Sequence, residues 1–183
     1  MTKKILISTG GSGGHVLPAT ILYEHLKNQF HVSMSSDYRG VRFVDNNEYN
    51  IEIFNVVPIS KNILLLPFQF FLMFFLVFKS IFFLKKRKVD ILVSTGGYMS
   101  LPLCIASKIL NIKIFLFEPN MVLGRSNRLF INHCEKIFCY SDTIKNFPNE
   151  FIWYVVKSSR PDLQANSFHY HLQSGNASGE HSF

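Results

Sequence analysis

Acidic residues are scarce in this 183-residue chain, which has 12 of them against 19 lysines and arginines and none between Glu52 and Asp90. The sequence also lacks an RNA- or DNA-binding signature. Its basic residues cluster beside an apolar run instead of lining a polar groove, which argues against a nucleic-acid partner. The formal charge of +7 therefore indicates an anionic membrane surface or a phosphate-bearing substrate.

Cysteine is equally rare, and the three cysteines (Cys104, Cys134 and Cys139) lack the spacing of metal ligands. An odd number without that spacing predicts free thiols in a reducing compartment. His169 and His171 form an H-x-H pair without acidic or cysteine neighbours, which favours a solvated tail over a metal site. We expect no metal and no cofactor.

Apolar runs alternate with helical stretches along most of the chain. Helices are predicted at 16–29, 67–86, 98–110 and 124–132, and strands at 4–9, 31–36, 51–57, 90–95, 113–118, 136–140 and 151–156. Continuous apolar strands separated by helices indicate an α/β fold, a Rossmann-like doubly wound parallel sheet of order 3-2-1-4-5. We expect one domain over 1–156, then a disordered or non-native tail over 157–183, where the sequence turns polar and loses its periodicity.

Three loops should meet at one edge of this sheet. "GGSGG" follows the first strand, Gly96 and Gly97 follow the fourth, and "FEPNMVLGRSN" follows the fifth. Ligands of doubly wound sheets bind beyond the carboxyl ends of the strands, where the strand order reverses. The two glycine loops should therefore flank one crevice, with Glu118 and Asn120 on its rim.

The chemistry of this crevice points to an anionic ligand. Glycines let the backbone approach a ligand closely, and amides at a helix start receive negative oxygens. No lysine follows the glycines as a P-loop requires, and a dinucleotide fingerprint begun at Gly11 ends on Val16, although Asp37 keeps a ribose contact with NAD open. His15 lies at a helix N-terminus, where the dipole disfavours the imidazolium. It could accept a proton from a sugar hydroxyl or contact a phosphate, and both roles stay open.

A phenylalanine-rich segment at 62–88 holds eight of the 19 phenylalanines and no charge between Lys61 and Lys79. Since its flanking strands should share one sheet, we favour a crossover helix over a membrane span or a buried helix. One face would cover the sheet, and the other would lie in the interface of an anionic leaflet, next to the terminal "KKRK". The predicted membrane-binding residues are Phe71, Phe74, Phe75, Phe78, Lys85, Lys86 and Arg87.

The motifs "GGSGGHVLPA", "STGGYMSLP" and "EPNMVLGRSNR" together resemble the MurG family of bacterial peptidoglycan N-acetylglucosaminyltransferases. The resemblance implies a GT-B glycosyltransferase of two Rossmann-like domains, peripheral to the cytoplasmic face of the inner membrane. Such an enzyme transfers N-acetylglucosamine from UDP-N-acetylglucosamine to lipid I, giving lipid II with inversion and no required metal. It implies His15 as catalytic base or diphosphate contact, and as substrate-binding residues Ser12, Gly13, Gly14, Gly96, Gly97, Tyr98, Glu118 and Asn120.

The sequence departs from the family pattern in two places. Phe117 replaces a common histidine before Glu118, a local change that we expect to be tolerated. The family's C-terminal domain, which holds most of the donor nucleotide, has no counterpart in these 183 residues. We therefore expect a truncated acceptor-side half of the enzyme. The alternative is a non-catalytic, membrane-anchoring subunit of a split glycosyltransferase with a separate donor-binding partner.

Overall fold

The computed structural model describes residues 2–44, 49–54, 56, 66–141, 143–148, 152–158 and 168–174. Within these residues, eight strands form one sheet of order β3-β2-β1-β4-β5-β6-β7-β8. Strands β1 to β7 pair in parallel, and β8 pairs antiparallel with β7. The strands are Lys4–Ser8 (β1), His31–Ser36 (β2), Ile51–Ile53 (β3), Ile91–Ser94 (β4), Lys113–Glu118 (β5), Lys136–Cys139 (β6), Ile152–Ser158 (β7) and Phe168–Ser174 (β8).

The predicted doubly wound order is confirmed, because β1 lies between β2 and β4. In the register of the sheet, Ile7 of β1 is the partner of both Met34 and Val93. The strand order reverses here, since β2 and β3 extend the sheet to one side and β4 to β6 extend it to the other. The carboxyl ends of β1 and β4 therefore frame the crevice that the sequence predicted.

The helices are Gly13–Leu26 (α1), Tyr38–Val41 (α2), Leu66–Arg87 (α3), Ser100–Ile109 (α4) and Arg125–Phe130 (α5), with a 3-10 turn at Ile131–His133. Four correspond to predicted helices. The single turn α2 was not predicted, because it is too short to show helical periodicity. The strand predicted at 51–57 ends at Ile53, and of the predicted residues 55–57 only Val56 is described.

Both faces of the sheet are covered, as its continuous apolar strands predict. On one face Leu6 belongs to a core that includes Leu84 of α3 and Leu103 of α4. On the other face Ile7 packs in a second core with Ala19 of α1. Successive side chains of a strand point to opposite faces, so an uninterrupted apolar run supplies both cores.

Part of the predicted tail is a strand. Strand β8 lies antiparallel along β7, so residues 168–174 are extended, and they include His169 and His171. An edge strand leaves a row of main-chain N–H and C=O groups without partners, and β8 supplies hydrogen-bond partners for these groups of β7. The division at Val156 and the non-native origin of the tail stay predictions, and residues 159–167 and 175–183 lie outside the described residues.

Helix α3 packs against the domain with one face. Ser80 and Leu84 are buried, and Lys79 lies over the ring of Phe54, with 5.1 Å from Nζ to the ring centroid. Phe54 directly follows β3 at the carboxyl edge of the sheet. Met73 and Leu76 pack against the core, and since α3 runs back toward the start of β4, its residues before Lys79 lie toward this edge.

The outward face of α3 before Lys79 is apolar and exposed. Its exposed side chains belong to Phe68, Phe70, Phe71, Phe74, Phe75 and Phe78. By length and composition alone, the helix could cross a membrane. Its flanking strands β3 and β4 lie in one sheet, however, as a crossover helix requires. The fully buried alternative is wrong, because the phenylalanines have no cover in the domain.

Candidate active site

The two glycine loops meet backbone to backbone at the carboxyl edge. A Cβ added to Gly97 would lie 3.2 Å from the carbonyl oxygen of Gly10. Gly96 and Gly97 also have φ angles of 93° and 85°, which residues other than glycine rarely adopt. A side chain at either position would therefore strain the turn and separate the loops. The loop after β1 and the loop after β4 form one crevice.

His15 joins the two loops. Its Nδ1 lies 2.7 Å from the carbonyl oxygen of Thr95. A carbonyl oxygen only accepts hydrogen bonds, so Nδ1 carries the proton and donates it, and Nε2 of the neutral ring keeps its lone pair. A Cβ on Gly96 would come within 3.3 Å of the imidazole Cε1. The second glycine loop thus fixes both the position and the tautomer of His15.

Four other predicted substrate-binding residues surround His15 on the first loop and the rim. Ser12 and Gly14 are exposed and Gly13 is half-buried, whereas Asn120 is exposed on the loop after β5. Ser12 makes no side-chain capping hydrogen bond to α1. The first turn of a helix leaves amides without an acceptor within the helix. In α1 the amides of His15 and Val16 donate to the Ser12 carbonyl oxygen, so those of Gly13 and Gly14 are the ones available. The first loop therefore presents backbone donors to a ligand. Tyr98, which is 39% exposed, completes the rim from the second loop.

Glu118 lies beneath the rim and is fully buried. Its Oε2 accepts hydrogen bonds from the Gly124 amide at 2.8 Å and from Asn127 Nδ2 at 3.1 Å. Its Oε1 accepts two from Asn120, at 3.2 Å from the backbone N and 3.0 Å from Nδ2. Four donors occupy the carboxylate, so Glu118 holds the loop and positions Asn120; it does not face a ligand.

Asn127 is a site residue that sequence reasoning did not single out. Besides Glu118, its Nδ2 reaches the carbonyl oxygen of Phe117 at 3.2 Å, and its Oδ1 accepts from Ser94 Oγ at 3.4 Å. One buried amide thus ties the end of β4 to the end of β5. The residue stands within the third motif, but only its contacts reveal its role.

Glu118→Gln is expected to lower the free energy of unfolding by about 2–4 kcal/mol, since the new amide group would face backbone or side-chain N–H groups that need an acceptor. Urea unfolding of the chain measures this change. Glu24→Gln is the matched control, because Glu24 is exposed in an ion pair with Lys27 and its loss should cost less than about 0.5 kcal/mol. Equal losses in both variants would contradict the role given to Glu118.

Asp37 holds the first glycine loop from below. The buried carboxylate accepts hydrogen bonds from the amides of Gly11 and Gly40, each at 2.8 Å. It also accepts from Arg39, at 2.9 Å from Nε and 2.8 Å from Nη2. Burial works toward a higher pKa, but these hydrogen bonds outweigh it and hold the pKa of Asp37 below its usual value. The protein itself occupies the carboxylate, which removes the ribose ligand of the NAD alternative.

The predicted basic membrane residues lie away from this crevice. Lys85, Lys86 and Arg87 form the last turn of α3, shortly before β4, and Arg87 pairs with Glu52 of β3 at 3.3 Å. The predicted phenylalanines lie in the first half of α3, toward the edge that holds the glycine loops. The structure therefore separates the two parts of the predicted membrane surface along the helix.

The cysteines behave as buried thiols. Burial raises the pKa of Cys104 to about 12 and that of Cys134 to about 11, and it raises the pKa of Cys139 as well. Such thiols are protonated at neutral pH and are poor nucleophiles. Among the described residues, no group of three or more His, Cys, Asp or Glu side chains could hold a metal ion.

Comparison with known proteins places the site in a family. The profile of the glycosyltransferase family 28 N-terminal domain matches residues 5–139. A UDP-N-acetylglucosamine--N-acetylmuramyl-(pentapeptide) pyrophosphoryl-undecaprenol N-acetylglucosamine transferase from Pelagibacter ubique is 66% identical over 151 residues, which cover 82% of this chain and 42% of the relative. The enzyme of the same name from a Wolbachia pipientis strain is 38% identical over 134 residues, covering 73% and 37%. The chain thus spans less than half the length of these relatives.

Solved structures agree on the fold. The crystal structure of Acinetobacter baumannii MurG matches with a TM-score of 0.70 at 24% identity, over 90% of this chain and 50% of that one. A UDP-GlcNAc 2-epimerase from Methanocaldococcus jannaschii matches with a TM-score of 0.54 at 14% identity, over 74% and 39%. The predicted Rossmann-like doubly wound fold is therefore confirmed.

Proposed function

Because this chain belongs to glycosyltransferase family 28, we propose that it forms the acceptor-side domain of an N-acetylglucosaminyltransferase of peptidoglycan synthesis. The whole enzyme would transfer N-acetylglucosamine from UDP-N-acetylglucosamine to lipid I, the undecaprenyl-diphosphate-linked acceptor, and form lipid II. The observation that carries the proposal is the convergence of two glycine loops on one imidazole whose Nε2 keeps its lone pair. The 66% identity to the Pelagibacter transferase supports the choice of substrates.

In the proposed reaction, the acceptor diphosphate lies against the backbone amides of the first glycine loop. His15 Nε2 takes the proton of the attacking sugar 4-hydroxyl while the oxygen bonds to the anomeric carbon of N-acetylglucosamine. The bond from that carbon to UDP breaks, and UDP leaves with the bonding electrons, so the configuration inverts. Asn120, positioned by Glu118, and Tyr98 line the mouth where the sugars would lie.

The donor nucleotide is the part of this proposal that reaches beyond the described residues. We propose that UDP is held mainly by a domain corresponding to the length of the relatives that this chain does not cover. That domain would either continue the same polypeptide or be a separate donor-binding subunit, as in a split glycosyltransferase. The acceptor-side role given to this chain is the same in both arrangements.

We also propose that α3 docks the domain peripherally on the anionic cytoplasmic leaflet of the inner membrane. Its exposed phenylalanines before Lys79 lie toward the edge that holds the glycine loops, so their insertion would bring the crevice mouth near the lipid headgroups. An apolar surface of this size needs cover in water, and a membrane supplies both that cover and the polyprenyl acceptor. The basic last turn of α3 would add attraction to anionic lipid over a longer range.

A fusion enzyme tests the catalytic proposal. Residues 1–156 of this chain are joined to the remaining part of the Pelagibacter relative, and transfer of radiolabelled N-acetylglucosamine to lipid I is measured in vesicles. We expect transfer by the fusion and by the complete relative, and none by the relative's remaining part alone. A fusion that folds and binds UDP-N-acetylglucosamine but transfers no sugar would refute the proposal. Mixing the two parts unlinked tests the split arrangement.

A further inference from the structure

We propose that Arg39 is a ligand for a diphosphate bound on the first glycine loop. The assignment of that diphosphate to the lipid acceptor rests on the proposed function above. Neither the glycine motifs nor the loop after β5 includes this arginine, which follows β2. Its place in the fold, beside the loop that follows β1, brings it to the crevice.

One carboxylate fixes both the loop and the arginine. Asp37 Oδ1 accepts the Gly11 amide at 2.8 Å, and Oδ2 accepts from both Nε and Nη2 of Arg39. A Cβ on Gly11 would lie 3.9 Å from Arg39 Nη2. The guanidinium therefore lies beside the space that a side chain at Gly11 would fill, and Asp37 holds it there before a ligand binds.

The pair is asymmetric in a way that suits a ligand site. The Arg39 side chain is 52% exposed, whereas that of Asp37 is 1% exposed. A guanidinium has five N–H donors, and Asp37 occupies two of them on one side. The donors on the opposite end, from Nη1 and Nη2, stay available to solvent or to a ligand. Arginine presents these donors as a planar fork that matches two phosphate oxygens.

The guanidinium adds a formal positive charge, which the glycine loop itself lacks. Backbone amides provide oriented partial charges for an anion, but none of the other predicted substrate-binding residues on the two glycine loops carries a formal positive charge. A diphosphate has two phosphoryl groups, so one can lie on the amides while the other contacts the guanidinium, which should favour it over a monophosphate. The buried Asp37 orients the guanidinium before the ligand arrives, which lowers the entropic cost of binding.

Calorimetric titration of the full chain tests this assignment at fixed ionic strength. The probes are farnesyl diphosphate, farnesyl monophosphate and UDP. We expect the wild type to prefer the farnesyl diphosphate to the monophosphate, and Arg39→Gln to weaken diphosphate binding by about tenfold or more. Arg42→Gln is the matched control, since Arg42 is exposed on the same segment, and it should bind as the wild type does.

The probes also separate the two sources of a diphosphate. If Arg39→Gln weakens binding of farnesyl diphosphate only, the site is one for the lipid acceptor. If it weakens binding of UDP, alone or together with farnesyl diphosphate, the diphosphate site stands but belongs to the donor. Unchanged binding of both in Arg39→Gln would overturn the inference. If that variant is unstable, Arg39→Lys decides, because it keeps a charge beside Asp37 but loses the fork. A weakening of about threefold or more supports the inference, and wild-type binding overturns it.

Kinetics of the fusion enzyme distinguish this inference from the proposed function. There Arg39→Gln should raise the KM for lipid I and leave kcat nearly unchanged. If the fusion transfers no sugar while Arg39→Gln still weakens farnesyl diphosphate binding, the proposed function fails and the diphosphate site stands. If the fusion is active and the variant matches it in both KM and binding, the inference alone fails.

Discussion

His15→Ala is expected to lower the kcat of the fusion enzyme by about two to four orders of magnitude, the usual contribution of a general base. The hydrogen bond from Nδ1 to the Thr95 carbonyl leaves Nε2 as the only basic nitrogen of the neutral ring. Glu118, the only carboxylate among the predicted site residues, could not replace it, because Glu118 is buried and already accepts four hydrogen bonds.

The two roles left open for His15 predict different kinetics. Loss of a base lowers kcat with little change in the KM for lipid I, whereas loss of a phosphate contact raises that KM. His25→Ala is the matched control, since His25 lies on the same helix, with its Nδ1 2.8 Å from the carbonyl oxygen of Ile21. A kcat for His15→Ala within threefold of this control would exclude His15 as the base.

Replacing Phe71, Phe74 and Phe75 with serine is expected to weaken vesicle binding by about 100-fold or more. These side chains are 67%, 70% and 60% exposed, and each would contribute roughly 1–2 kcal/mol on entering lipid, somewhat less than full burial of a phenylalanine. Because the side chains extend from the domain into solvent, the fold should not depend on them. Sedimentation with vesicles at increasing lipid concentration measures the affinity.

A variant with serine at Ile109 and Leu129 is the control, since these side chains are 57% and 66% exposed elsewhere in the domain. It should bind vesicles as the wild type does. Glutamine at Lys85, Lys86 and Arg87 should weaken binding only to anionic vesicles, by about 1 kcal/mol per charge at most, and high salt should remove the difference. Phenylalanine variants that bind as tightly as the control would refute membrane docking through α3.

The sequence was a good guide to the sheet because the cores depend on local pattern. The uninterrupted run at Ile5, Leu6 and Ile7 predicts a strand buried on both faces, and the structure packs these residues into two separate cores. Helix α2 and strand β8 gave no such signal. The first is a single turn stabilised by Asp37, and the second depends on the unpaired edge of β7.

The candidate site was predictable in position but not in the direction of its side chains. The loop order brings His15, Gly96 and Asn120 to one edge, as the strand topology requires. Whether a carboxylate faces a ligand depends on whether N–H groups from distant parts of the chain already donate hydrogen bonds to it. Asp37 accepts a hydrogen bond from the amide of Gly11, 26 residues away, and Glu118 accepts one from Asn127 of helix α5. Composition and spacing therefore identified the carboxyl groups without revealing that both serve the loops.

The place of α3 between β3 and β4 has a consequence for synthesis. The centre of the sheet closes only when β4 reaches β1, and the Lys4 amide meets the Asp90 carboxylate across 86 residues of chain. Translation proceeds from the N-terminus at about 5–20 residues per second, so α3 leaves the ribosome before β4. A nascent chain thus presents its phenylalanines while the sheet is still open. A nearby bilayer can cover them at that stage, and it would protect the unfinished domain from aggregation while the remaining strands are added.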